Sequence, residues 1–364
     1  MSGLDHRIRE LLRPEVLALS AYHVPDSKGY IKLDAMENPY AWPEDMVAEW
    51  LERLRGAEPN RYPDPACEKL KAALKQANGV PDGAELLLGN GSDEIIQIIL
   101  MAVAGPEVRV LAPEPTFVMY RQIAASLGLR FVGVPLREDD FGLDTDAMLA
   151  AIHEHKPAVV FLAYPNNPTG NLFDAVAIER ILASAPGLVV VDEAYAPYAD
   201  ASFMSKIPEF GHLLVMRTLS KLGLAGLRLG FLAGGKDWID QLDKIRLPYN
   251  INVLTRISAE FALEKQTVFD GQVRCLLRDR QWLAEALAKL DAIRVYDSHA
   301  NFILIKLLRH EAPRIFQELK AAGILVKNLH PAGGPLAHCL RITVGTPEEN
   351  QRFIEDLERL LRYV

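Results

Sequence analysis

The stretch HLLVMRTLSKLGLAGLRLGFLAG, residues 212–234, places one lysine between two apolar runs. Both runs, HLLVM (212–216) and LRLGFLAG (227–234), are typical of strands that a domain covers on both faces. Lys221 lies in the connection between them, among small and apolar residues. Burial of an unpaired ammonium is costly, so most lone lysines stay in solvent. The pattern therefore indicates either a solvated loop lysine or an amine with a function.

Similar apolar runs recur from about residue 85 and alternate with helical patterns. The runs predict strands over 85–89, 108–113, 129–136, 158–164, 187–195, 212–218 and 227–234. The helical patterns cover 92–104, 116–128, 143–155 and 174–185. Such alternation predicts an α/β fold, with a mostly parallel seven-stranded sheet covered by helices. Sheets of this kind bind ligands at the carboxyl ends of their strands.

The pattern changes after about residue 255. A long helical stretch, roughly 254–290, leads to shorter strand candidates and to an amphipathic terminal helix over 347–364. The strand candidates are 292–296, 301–307, 324–328 and 339–345. We therefore predict an N-terminal arm (1–40) that packs with a small domain, a large domain (41–255), and a small α+β domain (256–364) that begins with the long helix.

Composition argues against several classes of function. The 364 residues carry a formal net charge of −8, so the chain lacks the basic surface that nucleic acid requires. Its apolar runs are too short to span a bilayer, and its first residues lack the apolar core of a signal peptide. Cys67, Cys275 and Cys339 are too scattered for a disulfide framework or a zinc motif. We expect a cytoplasmic protein without a metal, a nucleic-acid partner or a membrane partner.

GNGSDE (89–94) follows a predicted strand and opens a predicted helix. Ser92 is the expected N-cap, and a capped helix alone would account for this motif equally well. The glycines and the positive helix end also suit a phosphate group. In that case the carboxylates of Asp93 and Glu94 would have to point away from the anion.

Two more motifs end predicted strands. YPNNPTG (164–170) is typical of a rigid turn and presents Asn167, while VVVDEAY (189–195) presents Asp192. A buried aspartate needs a charged or hydrogen-bonding partner. Turn formation and capping account for each motif singly, but together they place Asn167, Asp192 and Lys221 at one edge of the sheet.

In this combination the chain resembles the pyridoxal-phosphate-dependent aminotransferases of fold type I, and among them the histidinol-phosphate aminotransferases. The resemblance covers essentially the whole chain, and the order and spacing of its segments make chance agreement negligible. The matching segments are LDAMENPY (33–40), RYPDP (61–65), GNGSDE (89–94), PEPTF (113–117), YPNNPTG (164–170), VVDEAY (190–195), RTLSKLGLAGLRLG (217–230), RLPYNIN (246–252), ANFIL (300–304) and CLRITVGT (339–346).

The resemblance implies a role for each residue at the strand ends. Lys221 would bind pyridoxal 5′-phosphate covalently and then move a proton on the substrate, which needs a lysine of lowered pKa. Asp192 would pair with the ring nitrogen of the cofactor. Tyr195 and Asn167 would hydrogen-bond its ring oxygen. Phe117 would stack on the ring, at a position where the family often has tyrosine.

The cofactor phosphate has its own implied set of residues. They are Gly91, Ser92, Asp93, Thr218, Ser220 and Arg228. The planar fork of an arginine suits a phosphate, although the connection from Lys221 to Arg228 is one residue shorter than in the familiar pattern. Tyr62 would reach the cofactor phosphate of a neighbouring subunit, which implies a homodimer with shared active sites.

The resemblance also implies which residues bind the substrates, a small-molecule amino donor and a 2-oxo acid. Arg341 would bind the substrate anion, helped by Lys327, where many relatives carry arginine. A lysine is a point charge, so it would bind a phosphate less directionally. Tyr22 and Asn38 would close over the substrate.

The function implied is amino-group transfer between L-histidinol phosphate and 2-oxoglutarate, which gives imidazole acetol phosphate and glutamate in histidine biosynthesis. The nearest alternatives are an aromatic amino-acid aminotransferase and a threonine-phosphate decarboxylase of the same fold. A cofactor-binding regulatory module without turnover is the remaining hypothesis, and the complete catalytic set gives it no support.

Overall fold

A computed structural model describes residues 3–21 and 25–363. Each strand predicted from the sequence is present there, and one short strand was not predicted. In chain order the strands are β1 (Ile31–Leu33), β2 (Ala84–Gly89), β3 (Arg109–Glu114), β4 (Arg130–Pro135), β5 (Val159–Ala163), β6 (Leu188–Asp192), β7 (Leu213–Thr218), β8 (Gly230–Gly235), β9 (Ile293–Val295), β10 (Phe302–Leu307), β11 (Ile324–Asn328) and β12 (Cys339–Thr343).

Helices lie between many of the strands and at both ends of the described residues. They are α1 (Gly3–Leu11), α2 (Pro14–Ala18), α3 (Glu44–Leu54), α4 (Glu68–Asn78), α5 (Ser92–Val103), α6 (Val118–Ser126), α7 (Thr145–His155), α8 (Ala175–Ser184), α9 (Lys236–Asp243), α10 (Val253–Glu264), α11 (Gln266–Ala288), α12 (Ala312–Ala321) and α13 (Pro347–Tyr363).

The single long helix predicted over 254–290 is wrong. The stretch forms α10 and α11, which meet at Lys265, where the backbone leaves the helical region (φ −104°, ψ 25°). The break changes which neighbours the chain contacts. Helix α10 packs on α3 and α4 beside the large sheet, whereas α11 packs on α13 and β9 beside the small sheet.

The large sheet has the strand order β2-β8-β7-β6-β5-β3-β4. Strand β8 runs antiparallel to both of its neighbours, and the other neighbouring pairs are parallel. Every residue of β5 and β6 is buried, as expected for strands with helices on both faces. The predicted α/β fold with a mostly parallel seven-stranded sheet is confirmed.

The small sheet has the order β1-β11-β12-β10-β9. Its first strand comes from the N-terminal arm and pairs parallel to β11, so that Leu33 is opposite Val326. Strands β11 and β12 are antiparallel, and Lys327 is opposite Arg341. Strand β1 lies beside β11, the strand that carries Lys327, and Asp34 is the residue that directly follows β1.

The N-terminal arm contacts both parts of the chain. Helix α2 packs against α6, and the Arg13 guanidinium donates to the backbone oxygen of Ser126. Within residues 3–21 and 25–40 of the arm, β1 is the one strand that joins the small sheet. We keep the boundaries 1–40, 41–255 and 256–364 as a proposal.

Tyr22 lies outside the described residues. Of the helices within those residues, none has both the length and the apolar character needed to cross a membrane.

Candidate active site

A pocket lies at the carboxyl edge of the large sheet, beside the end of β1. Most of the residues predicted to bind a cofactor line it: Ser92, Asp93, Phe117, Asn167, Asp192, Tyr195, Thr218, Ser220, Lys221 and Arg228. They come from the ends of β2, β3, β5, β6 and β7 and from the connection to β8. The arm adds Met36 to the wall of the pocket. The topology of the sheet thus brings distant segments together, as expected for an open α/β fold.

Lys221 lies in a single helical turn, residues 220–224, that directly follows β7. Its Nζ donates to the backbone oxygen of Ala35 at 3.3 Å, and the Tyr198 hydroxyl donates to the backbone oxygen of Lys221 at 2.6 Å. Burial, and then the nearby charge of Arg341, lower the pKa of the Lys221 amine to about 8. A larger share of this amine is therefore uncharged near neutral pH than in an ordinary lysine.

Asp192 ends β6 and is buried at the floor of the pocket. Its Oδ2 accepts a hydrogen bond from the Tyr120 hydroxyl at 2.6 Å, and its Oδ1 accepts one from the backbone N–H of Ala194 at 3.1 Å. Burial raises the pKa of the Asp192 carboxyl to about 6, while the Tyr120 hydrogen bond lowers it. The sequence reasoning missed Tyr120, whose only signal was its place in the helical pattern of α6.

Asn167 and Tyr195 form the side of the pocket that faces the small sheet. Asn167 Oδ1 accepts a hydrogen bond from the Arg341 guanidinium. The Tyr195 ring lies under the Lys221 amine, with 5.8 Å from Nζ to the ring centroid, and meets the Phe302 ring edge-on. Burial raises the pKa of the Tyr195 hydroxyl, so this group is a hydrogen-bond donor at neutral pH.

The start of α5 and the connection to β8 form one end of the pocket. Gly91 has φ +83°, and a Cβ at this position would lie 2.7 Å from Arg228 Nη2. Glycine is therefore needed there both for its backbone conformation and for the close approach of Arg228. Arg228 itself adopts φ +51° and reaches the pocket despite the shortened connection.

The predicted N-cap role of Ser92 is wrong. Gly91 is the N-cap residue of α5, and Ser92 is the first residue of the helix, so its hydroxyl caps no amide of α5. The sequence predicts that the carboxylates of Asp93 and Glu94 both point away from a bound anion, and only that of Glu94 does so. Glu94 turns away and accepts from the backbone N–H of Asn90, but Asp93 lines the pocket, with 3.5 Å from its Oδ2 to Arg228 Nη2.

The predicted substrate-binding residues lie where the two sheets meet. Arg341 is buried, donates to the backbone oxygen of Asp34 at 2.9 Å, and has its guanidinium 5.3 Å from the centroid of the Phe302 ring. Lys327 is half-buried beside it, and burial followed by the Arg341 charge lowers the pKa of its amine. Asn38 donates to the backbone oxygen of Leu222, next to the lysine.

Tyr62 lies apart from the pocket of its own chain. Its side chain is 80% exposed, and its ring stacks on that of Tyr249 at a centroid distance of 4.5 Å. Leu247 and Leu254, which flank Tyr249 along the chain, are also exposed. Tyr62 and Tyr249 therefore form an exposed aromatic pair on the large-sheet part of the chain.

Comparison with known proteins identifies the family of this chain. Residues 28–357 match the family described as "Aminotransferase class I and II". The chain belongs to this family. Its members are pyridoxal-phosphate-dependent, and a solved structure of the same fold, from Sinorhizobium meliloti, is a histidinol-phosphate aminotransferase in complex with pyridoxal-5′-phosphate. That structure matches this one with a TM-score of 0.86 at 24% sequence identity, and the match covers 97% of this chain and 98% of the other.

Curated relatives of this aminotransferase are similar over nearly their full length. "Histidinol-phosphate aminotransferase 2" of Nitrosococcus oceani is 56% identical over 352 residues, which is 97% of this chain and 98% of the relative. A protein with the same name from Cupriavidus pinatubonensis is 53% identical over 98% of both chains.

The residues present fit pyridoxal phosphate. Asp192 offers a buried carboxyl, Lys221 an amine of lowered pKa, and Phe117 an aromatic face in the same pocket. At the other end, Gly91 leaves room at the start of α5, and Arg228 brings a positive charge next to it. An aromatic cation at one end would meet the Asp192 carboxyl, and an anionic phosphate at the other would meet Arg228, which also pairs with Asp93.

Proposed function

We propose that this aminotransferase transfers the amino group between L-histidinol phosphate and 2-oxoglutarate, giving imidazole acetol phosphate and glutamate in histidine biosynthesis. The observation that carries the proposal is the cross-strand pair of Lys327 and Arg341, opposite each other on β11 and β12. Two cations side by side suit a phosphate dianion better than a single carboxylate. The curated relatives named histidinol-phosphate aminotransferase support the same substrate.

Pyridoxal phosphate, when bound, supplies the electron sink for charge that develops on the substrate carbon. Lys221 would hold the cofactor covalently, and its amine would move the proton that leaves the α-carbon of the substrate. Its lowered pKa, about 8, suits an amine that must both accept and donate a proton near neutral pH. Asp192 would pair with the ring nitrogen, and Tyr195 and Asn167 would hydrogen-bond the ring oxygen.

One anion site has to accept two substrates in turn. Histidinol phosphate carries a phosphate and no α-carboxylate, whereas glutamate carries an α-carboxylate. Arg341 would bind either anion, because its planar fork is buried next to the pocket and is oriented by Asn167 and Asp34. Lys327 would add the second charge that the phosphate dianion needs.

The enzyme in this proposal is a cytoplasmic homodimer with shared active sites. Its three cysteines are free thiols, which suits a reducing compartment. The exposed aromatic pair of Tyr62 and Tyr249 would pack on a second copy of the chain. Tyr62 would then reach the cofactor phosphate of that copy, which accounts for the exposure of an aromatic pair on this face.

Chemical trapping tests the proposal. Borohydride reduction of the purified enzyme should leave a phosphopyridoxyl mass on the peptide that contains Lys221. Lys221→Ala should abolish the label, and Lys206→Ala, a surface variant, should retain it. A label on another lysine would overturn the assignment of Lys221.

Substrate choice is tested with the same enzyme. Histidinol phosphate, phenylalanine and threonine phosphate should be supplied in turn, with products identified by mass. Imidazole acetol phosphate should form fastest. A preference for phenylalanine would favour the aromatic-aminotransferase alternative, and release of CO₂ from threonine phosphate would favour the decarboxylase.

A further inference from the structure

Tyr120 is a buried tyrosine that connects two parts of the proposed cofactor site. It lies in the first turn of α6, just after Phe117, and its side chain has no exposed surface. Its hydroxyl donates to Asp192 Oδ2 at 2.6 Å. Its ring edge packs on the Phe117 ring, with the centroids 5.5 Å apart and the planes at 86°. One side chain thus touches both the residue proposed to pair with the ring nitrogen and the residue proposed to stack on the ring.

The neighbours of Tyr120 fix the direction of its hydroxyl. The ring stacks on Phe161, in the middle of β5, at 4.6 Å and 9° between the planes. Rotation of the Tyr120 ring out of this plane would break the contact in a core without room for it. The backbone N–H of Ala194 holds the other carboxyl oxygen of Asp192. Both oxygens of Asp192 are therefore oriented before any cofactor arrives.

Burial and nearby acidic residues disfavour the ionised form of Asp192, and the hydrogen bond from the Tyr120 hydroxyl favours it. Asp93 on α5 and Glu193, the next residue along the chain, both raise the pKa of the Asp192 carboxyl, and burial raises it most. The Tyr120 hydrogen bond and the Ala194 amide oppose this shift. Loss of the hydroxyl would make the carboxylate more basic, so that it would compete with the ring nitrogen for the proton that they share.

We propose that Tyr120 is a positioning residue that keeps Asp192 ionised and oriented toward the ring nitrogen of the cofactor. The inference rests on the proposed function, because it presumes pyridoxal phosphate in this pocket with its nitrogen on Asp192. It predicts that the effect of the hydroxyl acts through the ring nitrogen and not through the general stability of the core.

The test removes only the hydroxyl, in Tyr120→Phe, which keeps both ring contacts. The matched control is Tyr164→Phe. Tyr164 is also buried, and its ring packs on Phe203. Its backbone N–H donates to the backbone oxygen of Asp192, whereas the Tyr120 hydroxyl donates to the carboxyl. The ring nitrogen of bound cofactor, labelled with ¹⁵N, reports its own protonation by NMR. In Tyr120→Phe its signal should move toward that of the unprotonated ring, and in Tyr164→Phe it should stay at the wild-type position.

Cofactor affinity gives a second measurement that needs no turnover. Cofactor-free Tyr120→Phe should bind pyridoxal phosphate about tenfold more weakly, the effect of roughly one charge-assisted hydrogen bond. A deaza analogue, with carbon in place of the ring nitrogen, should bind the variant and the wild type equally. An equal loss for both ligands would show a merely structural role and overturn the inference.

Two further results keep the inference testable. If Tyr120→Phe does not fold, 3-fluorotyrosine placed at position 120 supplies a stronger donor and should move the nitrogen signal in the opposite direction. An unchanged signal there would also overturn the inference. If the wild type itself fails to label at Lys221 with borohydride, the proposed function fails. If it labels normally while Tyr120→Phe matches Tyr164→Phe, only the role of Tyr120 is rejected.

Discussion

The Arg341 guanidinium donates a hydrogen bond to Asn167 Oδ1 and so joins the small sheet to the turn that follows β5 of the large sheet. A second nitrogen of the same guanidinium donates to the backbone oxygen of Asp34, at the end of the N-terminal arm. Three separate segments of the chain therefore meet at one arginine. Its position for an incoming anion is set before the substrate binds, which reduces the entropy lost on binding.

Replacement of Arg341 by lysine should keep the charge and lose the fork. We expect kcat/KM to fall about ten- to hundredfold in both half-reactions, because roughly one or two charge-assisted hydrogen bonds are lost with either anion. Single-turnover absorbance changes with histidinol phosphate and with glutamate measure the two losses separately. Arg352→Lys, on the surface of α13, is the control. A loss confined to one half-reaction would contradict a common anion site.

Lys327→Ala should separate the two substrates. We expect the histidinol-phosphate half-reaction to lose about ten- to hundredfold in kcat/KM, since the phosphate dianion loses a contact worth roughly 1.5–3 kcal/mol. The glutamate half-reaction should lose less. Lys289→Ala removes the same charge from an exposed position at the end of α11 and should affect neither. Equal losses in the two half-reactions would reject Lys327 as a phosphate-selective contact.

Lys221 should destabilise the cofactor-free protein at neutral pH. Its pKa is lowered from 10.5 to about 8, so below pH 8 the native state holds a buried charge that the unfolded chain exposes to water. Between pH 8 and 10.5 only the unfolded chain stays protonated, and the penalty diminishes as pH rises. Lys221→Met should therefore raise the free energy of unfolding at pH 7, by up to about 3 kcal/mol, and by much less at pH 10. Urea titrations at both pH values measure the difference.

The control for this stability prediction is Lys289→Met, at an exposed site. Its effect on the free energy of unfolding should be small and independent of pH. A gain for Lys221→Met that persists unchanged at pH 10 would mean that the added apolar contact, and not the removed charge, stabilises the variant.

Tyr62 should act in the site of the neighbouring subunit. Tyr62→Phe should release the cofactor faster, because the hydroxyl would no longer bind the phosphate. In mixed dimers of Tyr62→Phe and Lys221→Ala chains, both lesions should fall in one site and leave the other intact, so that activity returns. If Tyr62 served its own chain, each site would carry one lesion. Confirmed heterodimers without regained activity would rule out a shared site.

Much of the large sheet was predictable because its strands are buried on both faces. The run of Val189, Val190 and Val191 has no exposed surface, and three successive β-branched apolar residues are typical of such a strand. The acids and amides that interrupt these runs, such as Asp192 and Asn167, mark the strand ends. Strand order then brings them together, so the pocket could be anticipated without any knowledge of distances.

Other features were not predictable from local patterns. Strand β1 has three residues, IKL, and is defined only by its pairing with β11. The break at Lys265 separates two helices that pack on different parts of the chain, while the apolar pattern continues through it. Tyr120 looked like any core residue of an amphipathic helix, since nothing in its neighbours along the chain signals a contact with Asp192.

The pairing of Ile31 with Ile324 also constrains how the protein is made. A ribosome synthesises β1 before the large sheet and β11 after it, so β1 must wait while the large sheet forms. Contacts between such distant residues are slow to form. The same segment continues into Asp34 and Ala35, whose backbone oxygens accept hydrogen bonds from Arg341 and Lys221. We therefore expect the nascent chain to complete its large sheet before it acquires a working site, which requires β11 and β12 to be in place.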